Sequence, residues 1–331
     1  MPTFSGESVL ITGGTGSFGR ALVHRLLTEH DPRRVVILSR DEFKQSELLA
    51  AYPADDRLRL FLGDVRDRDR LLRAFEGIDV VVHAAALKQV PLLEYNPFEA
   101  VKTNINGAQN VIDAAIDRRV QRVVALSTDK ACSPVNLYGA TKLVSDKLFI
   151  DGNAYAGDHG TRFSVVRYGN VVGSRGSVVP FFLRVRESGT LPITDERMTR
   201  FWITLSEAVD FVLERLDDMR GGELFVPKLP SVRILELAQA IAPTARIEIV
   251  GIRPGEKLHE DLISSDDARS TVDAGPHYVL KPNVDWWTAE NWVAATPVAE
   301  DFQYRSDLND HWLSVEEIRE TVRGTAPGVV L

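Results

Sequence analysis

The stretch Val9-Leu10-Ile11-Thr12-Gly13-Gly14-Thr15-Gly16-Ser17-Phe18-Gly19 is typical of a buried strand that passes through a glycine turn into a helix. Gly13, Gly16 and Gly19 stand three residues apart. The first allows a tight turn, the second lets the backbone approach a pyrophosphate, and the third lets helix and strand pack closely. The start of the helix offers free N–H groups and a partial positive charge to phosphates. The stretch therefore predicts a dinucleotide site, with further contacts from Thr15, Ser17 and Phe18.

Strands and helices alternate along the first half of the chain. β-Branched apolar runs predict buried strands, and the segments between them have helical spacing. The strands are predicted at Ser8–Ile11, Arg34–Leu38, Leu58–Leu62, Asp79–Val82, Arg122–Ser127 and Phe163–Arg167. Helices are predicted over Phe18–Thr28 and Pro97–Arg118. This order predicts an α/β fold with a Rossmann doubly wound parallel sheet that is covered on both faces.

The pattern changes after about residue 170, where segments become shorter and richer in proline and glycine. We therefore predict a dinucleotide-binding Rossmann domain over residues 1–172. Residues 173–331 are predicted to form mainly a smaller C-terminal substrate-binding lobe over the mouth of the sheet, where such folds bind ligands. The pattern leaves open whether the chain returns to the sheet within this second part.

The composition narrows the class of protein. The chain has 331 residues, of which 44% are hydrophobic and 26% charged, and its net charge is −8. No basic stripe is present, which argues against a nucleic-acid partner. No apolar run is long enough to span a membrane, and the single cysteine, Cys132, excludes an internal disulfide. These features favour a cytoplasmic globular protein.

The second predicted strand ends in Ser39-Arg40-Asp41-Glu42-Phe43-Lys44. An NAD site would place a carboxylate at the tip of this strand to hold the ribose 2′-hydroxyl. The tip is Ser39, and Arg40 with Lys44 would pair with a 2′-phosphate, which favours NADP. Asp41 keeps NAD open, because a shift of two residues would restore the acid. Other cofactor contacts are expected after the third and fourth strands, from Asp64, Val65, Ala84, Ala85 and Ala86.

Tyr138 and Lys142 stand four residues apart on a predicted helix, so both side chains project from one face. We expect the ammonium to lower the pKa of the phenol, which can then take a proton from an alcohol while a hydride leaves for a nicotinamide. Thr128, at the end of the fifth strand, would hydrogen-bond the same hydroxyl. A Tyr-x-x-x-Lys pair alone is more often a surface contact, but after a dinucleotide turn it indicates an active site.

The glycine turn together with the later Tyr-x-x-x-Lys resembles the extended short-chain dehydrogenase/reductase family. Longer segments are similar to the configuration-inverting UDP-N-acetylglucosamine 4,6-dehydratases of pseudaminic acid biosynthesis. Besides the glycine turn, these segments are Ser39–Gln45, His83–Lys88, Leu126–Ala131, Asn136–Lys142, Arg167–Ser174, Met198–Trp202 and Ile252–Lys257. The resemblance implies a UDP-N-acetylglucosamine substrate and a tightly bound NADP that is regenerated in each cycle. It also implies a cytoplasmic homo-oligomer that binds neither nucleic acid nor membrane.

The implied reaction is oxidation at carbon 4 of the sugar, elimination of water across carbons 5 and 6, and return of the hydride to carbon 6. The resemblance implies that Tyr138, Lys130 and Asp129 handle the protons at carbons 4, 5 and 6. The retaining glucose-nucleotide dehydratases have an Asp-Glu pair where this chain has Asp129-Lys130, which favours inversion at carbon 5. A lysine is a base only when neutral, so we expect desolvation, Lys142 and the oxidised nicotinamide to lower the pKa of Lys130.

Later segments are expected to hold the rest of the substrate. Asn170 resembles the family residue that lies near the diphosphate. Arg200 and Arg253 are candidate diphosphate ligands because a guanidinium binds phosphate bidentately, although an exposed salt bridge is the simpler alternative. Glu256 would accept from ribose or uracil. Other candidates are Lys88, Asn104, Tyr138 and Lys142 for the cofactor, and Lys88, Lys130, Val171, Val178, Pro180, Thr194 and Met198 for the substrate. No metal is expected.

Two alternatives remain open at this point. The first is a UDP-hexosamine 4- or 5-epimerase on the same fold. An epimerase needs no separate acid for a leaving hydroxyl, so Asp129-Lys130 argues against it. The second is a non-catalytic regulator that senses NADP. Such a regulator has no need of the pair Tyr138 and Lys142, which this chain carries.

Overall fold

A large mixed sheet forms the centre of the protein. The computed structural model describes residues 4–174, 176–282, 284, 287 and 292–325. Six neighbouring strands run parallel in the order β3-β2-β1-β4-β5-β6. Their bounds are β1 Ser8–Thr12, β2 Arg34–Ser39, β3 Leu58–Leu62, β4 Val80–His83, β5 Arg122–Thr128 and β6 Arg162–Tyr168. The order reverses between β1 and β4, as in a doubly wound sheet, so the predicted fold class is confirmed.

Helices cover both faces of this sheet. Their bounds are α1 Ser17–Glu29, α2 Glu42–Ala51, α3 Arg68–Ala74, α4 Val90–Tyr95, α5 Pro97–Ala100, α6 Gly107–Asp117 and α7 Leu137–Ala156. In α1 the apolar face is fully buried, with Leu22, Val23 and Leu26 inaccessible to solvent. Burying a Leu or Val side chain contributes about 1.5–3 kcal/mol, so such faces fix each helix on the sheet.

The helical segment predicted over Pro97–Arg118 is interrupted in its register. A π-helical turn, Val101–Asn106, lies between α5 and α6. This wider turn places Asn104 in the interior, where its amide pairs with the backbone of Leu87. Periodicity predicts the apolar face of such a segment but not one extra residue in a turn.

After β6 the chain builds a second lobe and also returns to the sheet. Its helices are α8 Val178–Val185, α9 Leu205–Asp218, α10 Ile234–Ile241 and α11 Val315–Thr325. Its strands are β7 Asn170–Val171, β8 Thr190–Ile193, β9 Thr199–Ile203, β10 Leu224–Pro227, β11 Ser231–Arg233, β12 Arg246–Ile249, β13 Asp261–Ile263, β14 Thr271–Asp273, β15 His277–Leu280, β16 Thr296–Pro297 and β17 Tyr304–Arg305. Of these, β10, β15, β14 and β16 continue the large sheet beyond β6, giving ten strands. A division at residue 172 stays a prediction.

The second lobe has its own apolar core. It is formed by side chains of α8, β8, β9, α10 and α11, including Phe182, Leu191, Trp202, Leu237 and Ile318. Within the part of the chain that the structure describes, every helix is too short or too polar to cross a bilayer.

The glycine turn between β1 and α1 is packed without room for side chains. Gly13 has φ +68°, and a Cβ there would lie 2.9 Å from the backbone of Ala85. A Cβ on Gly19 would lie 2.4 Å from the Cα of Gly14. The turn therefore brings α1, β1 and the segment after β4 into direct backbone contact.

The substitution Gly19→Ala is expected to destabilise the protein by about 1–3 kcal/mol, because the methyl group forces α1 away from the turn. Urea unfolding monitored by circular dichroism measures this change. Gly324→Ala is the control, since nothing lies within 4 Å of its added Cβ in α11. The control is expected to be neutral or to gain up to about 1 kcal/mol from helix propensity. Equal midpoints for Gly19→Ala and the unaltered protein would contradict the packing argument.

Candidate active site

A cavity of about 710 Å³ opens at the carboxyl ends of the parallel strands, where the strand order reverses. Ligands of doubly wound sheets bind at this point. The cavity is lined by the glycine turn and by nearly all of the residues that the sequence predicts for the cofactor. These are Gly13, Thr15, Gly16, Ser17, Phe18, Gly19, Ser39, Arg40, Asp41, Lys44, Asp64, Val65, Ala84, Ala85, Ala86, Lys88, Tyr138 and Lys142.

Asn104 is the predicted cofactor residue that does not line this cavity. It is buried behind the wall, where its side chain accepts from the Leu87 N–H at 2.8 Å and donates to the Leu87 carbonyl at 3.0 Å and to Thr141 Oγ1 at 3.0 Å. Its neighbour Thr103 faces the cavity instead. Asn104 therefore braces the segment after β4 against α7 in this structure.

At the end of β2, Asp41 and Lys44 bind each other, whereas Arg40 faces the cavity. The carboxylate of Asp41 accepts from the Lys44 N–H at 3.0 Å as the N-cap of α2, and it also binds the Lys44 ammonium. These hydrogen bonds hold the pKa of Asp41 below its usual value. Arg40 lies on the cavity with half of its side chain exposed, 3.6 Å from Asp64. At the end of β2, Arg40 is therefore the side chain whose N–H donors are most available to a ligand in the cavity.

Tyr138, Lys142 and Thr128 all lie on the cavity wall. Helix α7 begins at the N-cap Asn136 and presents Tyr138 and Lys142 from one face, both of them buried. Burial raises the pKa of the Tyr138 phenol to about 12, by more than Lys130 and a hydrogen bond from Thr128 lower it. We expected Lys142 to lower this pKa, and that expectation is wrong for the structure as described. Desolvation disfavours the phenolate by more than the neighbouring groups favour it.

Lys130 is held between two carboxylates. Its Nζ lies 3.0 Å from Asp129 Oδ1 and 3.3 Å from Glu260 Oε1. Burial lowers the pKa of the Lys130 ammonium, but the two carboxylates raise it by more, so the pKa lies above its usual value. Desolvation acts on this pKa in the expected direction, but the two carboxylates outweigh it. The second of them, Glu260, is not anticipated by the sequence, and the expected effect of an oxidised nicotinamide stays a prediction.

Glu260 is the functional candidate that sequence reasoning missed. It is 2% exposed, it lines a second cavity next to the first, and its Oε2 has no hydrogen-bond partner among the described residues. Burial raises its pKa, against the opposing effect of Lys130. Glu260 is far from Lys130 along the chain and belongs to no recognised motif, so the sequence offers no signal for the contact beyond its position shortly after the Ile252–Lys257 segment.

A second cavity of about 550 Å³ adjoins the first, and both are lined by Lys130 and Asn170. The buried Oδ1 of Asn170 has no hydrogen-bond partner among the described residues. Lys88 and Val171 line the first cavity. The other predicted substrate residues line the second, namely Val178, Pro180, Thr194, Met198, Arg200, Arg253 and Glu256. The structure thus brings the whole predicted substrate set to one connected cleft.

The two candidate diphosphate ligands differ in their surroundings. The guanidinium of Arg200 donates to the carbonyls of Thr199, Leu258 and Lys257 at 2.7, 3.1 and 3.1 Å. Arg253 is 63% exposed in its side chain and lies 3.8 Å from Glu256. Arg253 therefore has more donor capacity for an anion, while most of the donors of Arg200 are used within the lobe.

Helix α7 and the Arg253–Lys257 loop are directly joined. Asn136 Oδ1 caps α7 by accepting from the Gly139 N–H at 2.8 Å, and its Nδ2 donates to the Gly255 carbonyl at 2.8 Å. Gly255 has φ +80°, and a Cβ added there would lie 3.1 Å from the Cβ of Asn136. One amide side chain thus fixes both the start of α7 and the wall of the second cavity.

The comparisons with known proteins agree with this geometry. A family described as "Polysaccharide biosynthesis protein" matches residues 9–282. The chain belongs to this family. It is 51% identical to the UDP-N-acetylglucosamine 4,6-dehydratase (inverting) of Campylobacter jejuni, over 97% of this chain and 99% of that protein. It is 42% identical to a UDP-glucose 4-epimerase of Rickettsia canadensis, over 96% and 95%. The resemblance to inverting dehydratases is thereby confirmed for this member of the polysaccharide biosynthesis protein family.

Solved structures resemble the fold of this family member. Pen from Bacillus thuringiensis superposes with a TM-score of 0.89 and 36% identity, over 97% of this chain and 98% of that one. The dTDP-glucose 4,6-dehydratase DesIV from Streptomyces venezuelae, with NAD and TYD bound, gives a TM-score of 0.68 and 26% identity, over 76% and 86%.

Replacing Asn136 by Ala is expected to cost about 1 kcal/mol of stability through the lost cap of α7. It is also expected to speed amide hydrogen exchange in residues 253–257, because the Gly255 carbonyl loses its partner. Thr204→Ala is the control, since it removes the capping box of α9 without touching this loop. Exchange in the loop that is equally fast in both variants would refute the proposed link.

Proposed function

We propose that this protein is a UDP-N-acetylglucosamine 4,6-dehydratase that inverts carbon 5. The product would be UDP-2-acetamido-2,6-dideoxy-β-L-arabino-hexos-4-ulose. The observation that carries the proposal is the gathering of Tyr138, Asp129 and Lys130 on one cavity, between the glycine turn and the second cavity. The sequence identity to the inverting dehydratase of Campylobacter jejuni supports the same substrate.

The roles of the protein residues follow from where each lies. A nicotinamide held by the glycine turn would supply the hydride chemistry, accepting hydride from carbon 4 and giving it to carbon 6. The positive charge of a bound oxidised nicotinamide would add to the lowering of the Tyr138 pKa by Lys130 and Thr128, and Tyr138 as the phenolate would take the proton of the carbon 4 hydroxyl. Thr128, whose hydroxyl contacts Asp129 at 2.8 Å, lies on the same wall. Lys130 removes the proton on carbon 5, which the carbon 4 ketone acidifies. The Lys130–Asp129 hydrogen bond of 3.0 Å then passes a proton to Asp129, which protonates the carbon 6 hydroxyl so that it leaves as water.

The cofactor is proposed to be NADP. A nicotinamide dinucleotide is supported by the glycine turn and by the NAD bound in DesIV. Preference for the 2′-phosphate is supported by Arg40, which faces the cavity, and by Asp41, whose carboxylate is used as the N-cap of α2. A carboxylate that accepts two hydrogen bonds from Lys44 competes poorly for a ribose hydroxyl.

The epimerase alternative is supported by the identity to a UDP-glucose 4-epimerase. A 4-epimerase removes only the carbon 4 hydrogen and returns it, so it has no use for an acid–base pair beside carbons 5 and 6. Asp129 and Lys130 lie in hydrogen-bond contact at 3.0 Å on the cavity wall, and this contact favours the dehydratase. The resemblance to inverting dehydratases also supports a role in pseudaminic acid biosynthesis, a homo-oligomeric state and a cytoplasmic location, and these stay predictions.

Purified protein incubated with UDP-N-acetylglucosamine in deuterium oxide is expected to give a product lighter by one water, with deuterium at an inverted carbon 5. Mass spectrometry and NMR measure both properties. Lys130→Ala is expected to slow this reaction by about 10²–10⁴-fold, as for the loss of a general base. Lys147→Ala, the same change on the exposed face of α7, is the control. An unchanged nucleotide-sugar mass would support the epimerase, and near-normal turnover of Lys130→Ala would remove Lys130 from the mechanism.

Arg40→Ala is expected to weaken NADP binding by about 10–100-fold, the worth of a hydrogen-bonded charge contact of about 1.5–3 kcal/mol. NAD binding should stay nearly the same, because NAD has no 2′-phosphate. Isothermal titration calorimetry with both cofactors measures the difference, and Arg34→Ala, an exposed arginine at the start of β2, is the control. Equal weakening of both cofactors would argue against a 2′-phosphate contact.

A further inference from the structure

A buried carboxyl faces the amine of Lys130 from the second lobe. Glu260 Oε1 lies 3.3 Å from Lys130 Nζ and 3.6 Å from Arg200 Nε. The other oxygen, Oε2, is buried without a hydrogen-bond partner among the described residues. The proposed reaction gives Glu260 no role, although an uncompensated buried carboxylate oxygen is costly.

The position of Glu260 does not depend on Lys130. Its N–H donates to Ser306 Oγ at 3.0 Å, and its carbonyl accepts from the Ser306 N–H at 2.9 Å. Ser306 Oγ is in turn 2.7 Å from Thr199 Oγ1. Because these contacts are made by the backbone N–H and carbonyl of Glu260, a change of its side chain leaves them in place.

Asp129 and Glu260 are not equivalent partners of Lys130. Asp129 Oδ1 accepts two hydrogen bonds, from Thr128 Oγ1 at 2.8 Å and from Lys130 Nζ at 3.0 Å. The contacts of Glu260 are longer ion pairs of 3.3 and 3.6 Å. Each carboxylate has one buried oxygen without a partner among the described residues, Asp129 Oδ2 and Glu260 Oε2. Glu260 is thus the more loosely paired of the two, and burial raises its pKa. The charged or titratable groups around the pair are Lys88, Asp129, Tyr138, Arg200 and Lys257.

We propose that Glu260 is the positioning residue that prepares Lys130 as a base, by taking the proton of its ammonium when a sugar nucleotide fills the cavity. One N–H bond of Lys130 breaks and one O–H bond forms on Glu260, so an ion pair becomes two neutral groups without any external reactant. The inference rests on the proposed function, in which Lys130 removes the carbon 5 proton. It resolves the conflict between that role and the raised pKa of Lys130.

The energetic reason is the removal of water. In a site without water, the attraction within an ion pair must offset the free energy of desolvating two charges. Desolvating a neutral amine and a neutral carboxylic acid costs much less free energy. A sugar ring that excludes water from the wall around Lys130 thus shifts the proton toward Glu260. Before the sugar binds, water in the cleft stabilises the ion pair seen in the structure.

The pH dependence of turnover tests this proposal. In the unaltered protein the pair holds one proton at neutral pH, so kcat should stay level between about pH 7 and about pH 9, below the titration of the lysine. It should fall on the acid side as Glu260, whose pKa is raised, takes up a second proton and Lys130 can no longer pass its own on. A kcat that climbs steadily with pH in the unaltered protein would overturn the proposal without any variant.

Glu260→Gln keeps the shape of the side chain but accepts no proton. At neutral pH kcat is expected to fall roughly 10–100-fold, because Lys130 must lose its proton to water, while KM for UDP-N-acetylglucosamine changes little. The rate of the variant should then rise with pH throughout, without the level range that the unaltered protein shows between about pH 7 and about pH 9. Glu260→Asp retains a carboxyl and should restore part of the rate with a level alkaline side.

The matched control is Glu248→Gln, the same change at an exposed position of β12. A Glu260→Gln variant with the pH profile of the unaltered protein, or with its loss confined to KM, would show a merely structural role. Dehydration by the unaltered protein together with that result overturns only the inference. Absence of dehydration in the unaltered protein overturns the proposed function and the inference with it.

Discussion

The ammonium of Lys130, held between two buried carboxylates, is the interaction on which the site depends. Asp129 comes from the end of β5 and Glu260 from the second lobe, so one cation ties both parts of the chain together. A buried charge is tolerated only when it is paired. This pairing lies where the two adjoining cavities meet, because Lys130 lines both of them.

Close backbone packing holds this ion pair in place. A Cβ on Gly139 would lie 2.1 Å from the Lys130 carbonyl oxygen, so α7 presses directly on the turn that carries Asp129 and Lys130. That contact brings Tyr138 to the same cavity wall. On the far side, Lys257 donates to the Cys132 carbonyl at 2.6 Å and pairs with Asp261 at 3.1 Å. The reactive side chains thus sit on a rigid frame.

Patterns within short segments predicted most of the fold and of the cleft. The six parallel strands lie within one residue of their predicted ends, because buried β-branched runs leave little choice of structure. Asn104 was misplaced because a π-helical turn rotates it behind the wall. Glu260 was missed because only tertiary folding brings it to Lys130. For the same reason the directions of the pKa shifts of Lys130 and Tyr138 depended on burial and on a partner that no local motif contains.

Asp41 carries a consequence for how cofactor choice can change. Its carboxylate begins α2, and a helix without such a cap loses about 1 kcal/mol. If the carboxylate of Asp41 instead bound the 2′-hydroxyl of an unphosphorylated ribose, another residue would have to cap the N-terminus of α2. For the proposed NADP preference, cofactor selectivity and the folding of α2 thus depend on the same side chain, and a change of cofactor to NAD would require changes in the neighbouring turn as well as at Arg40.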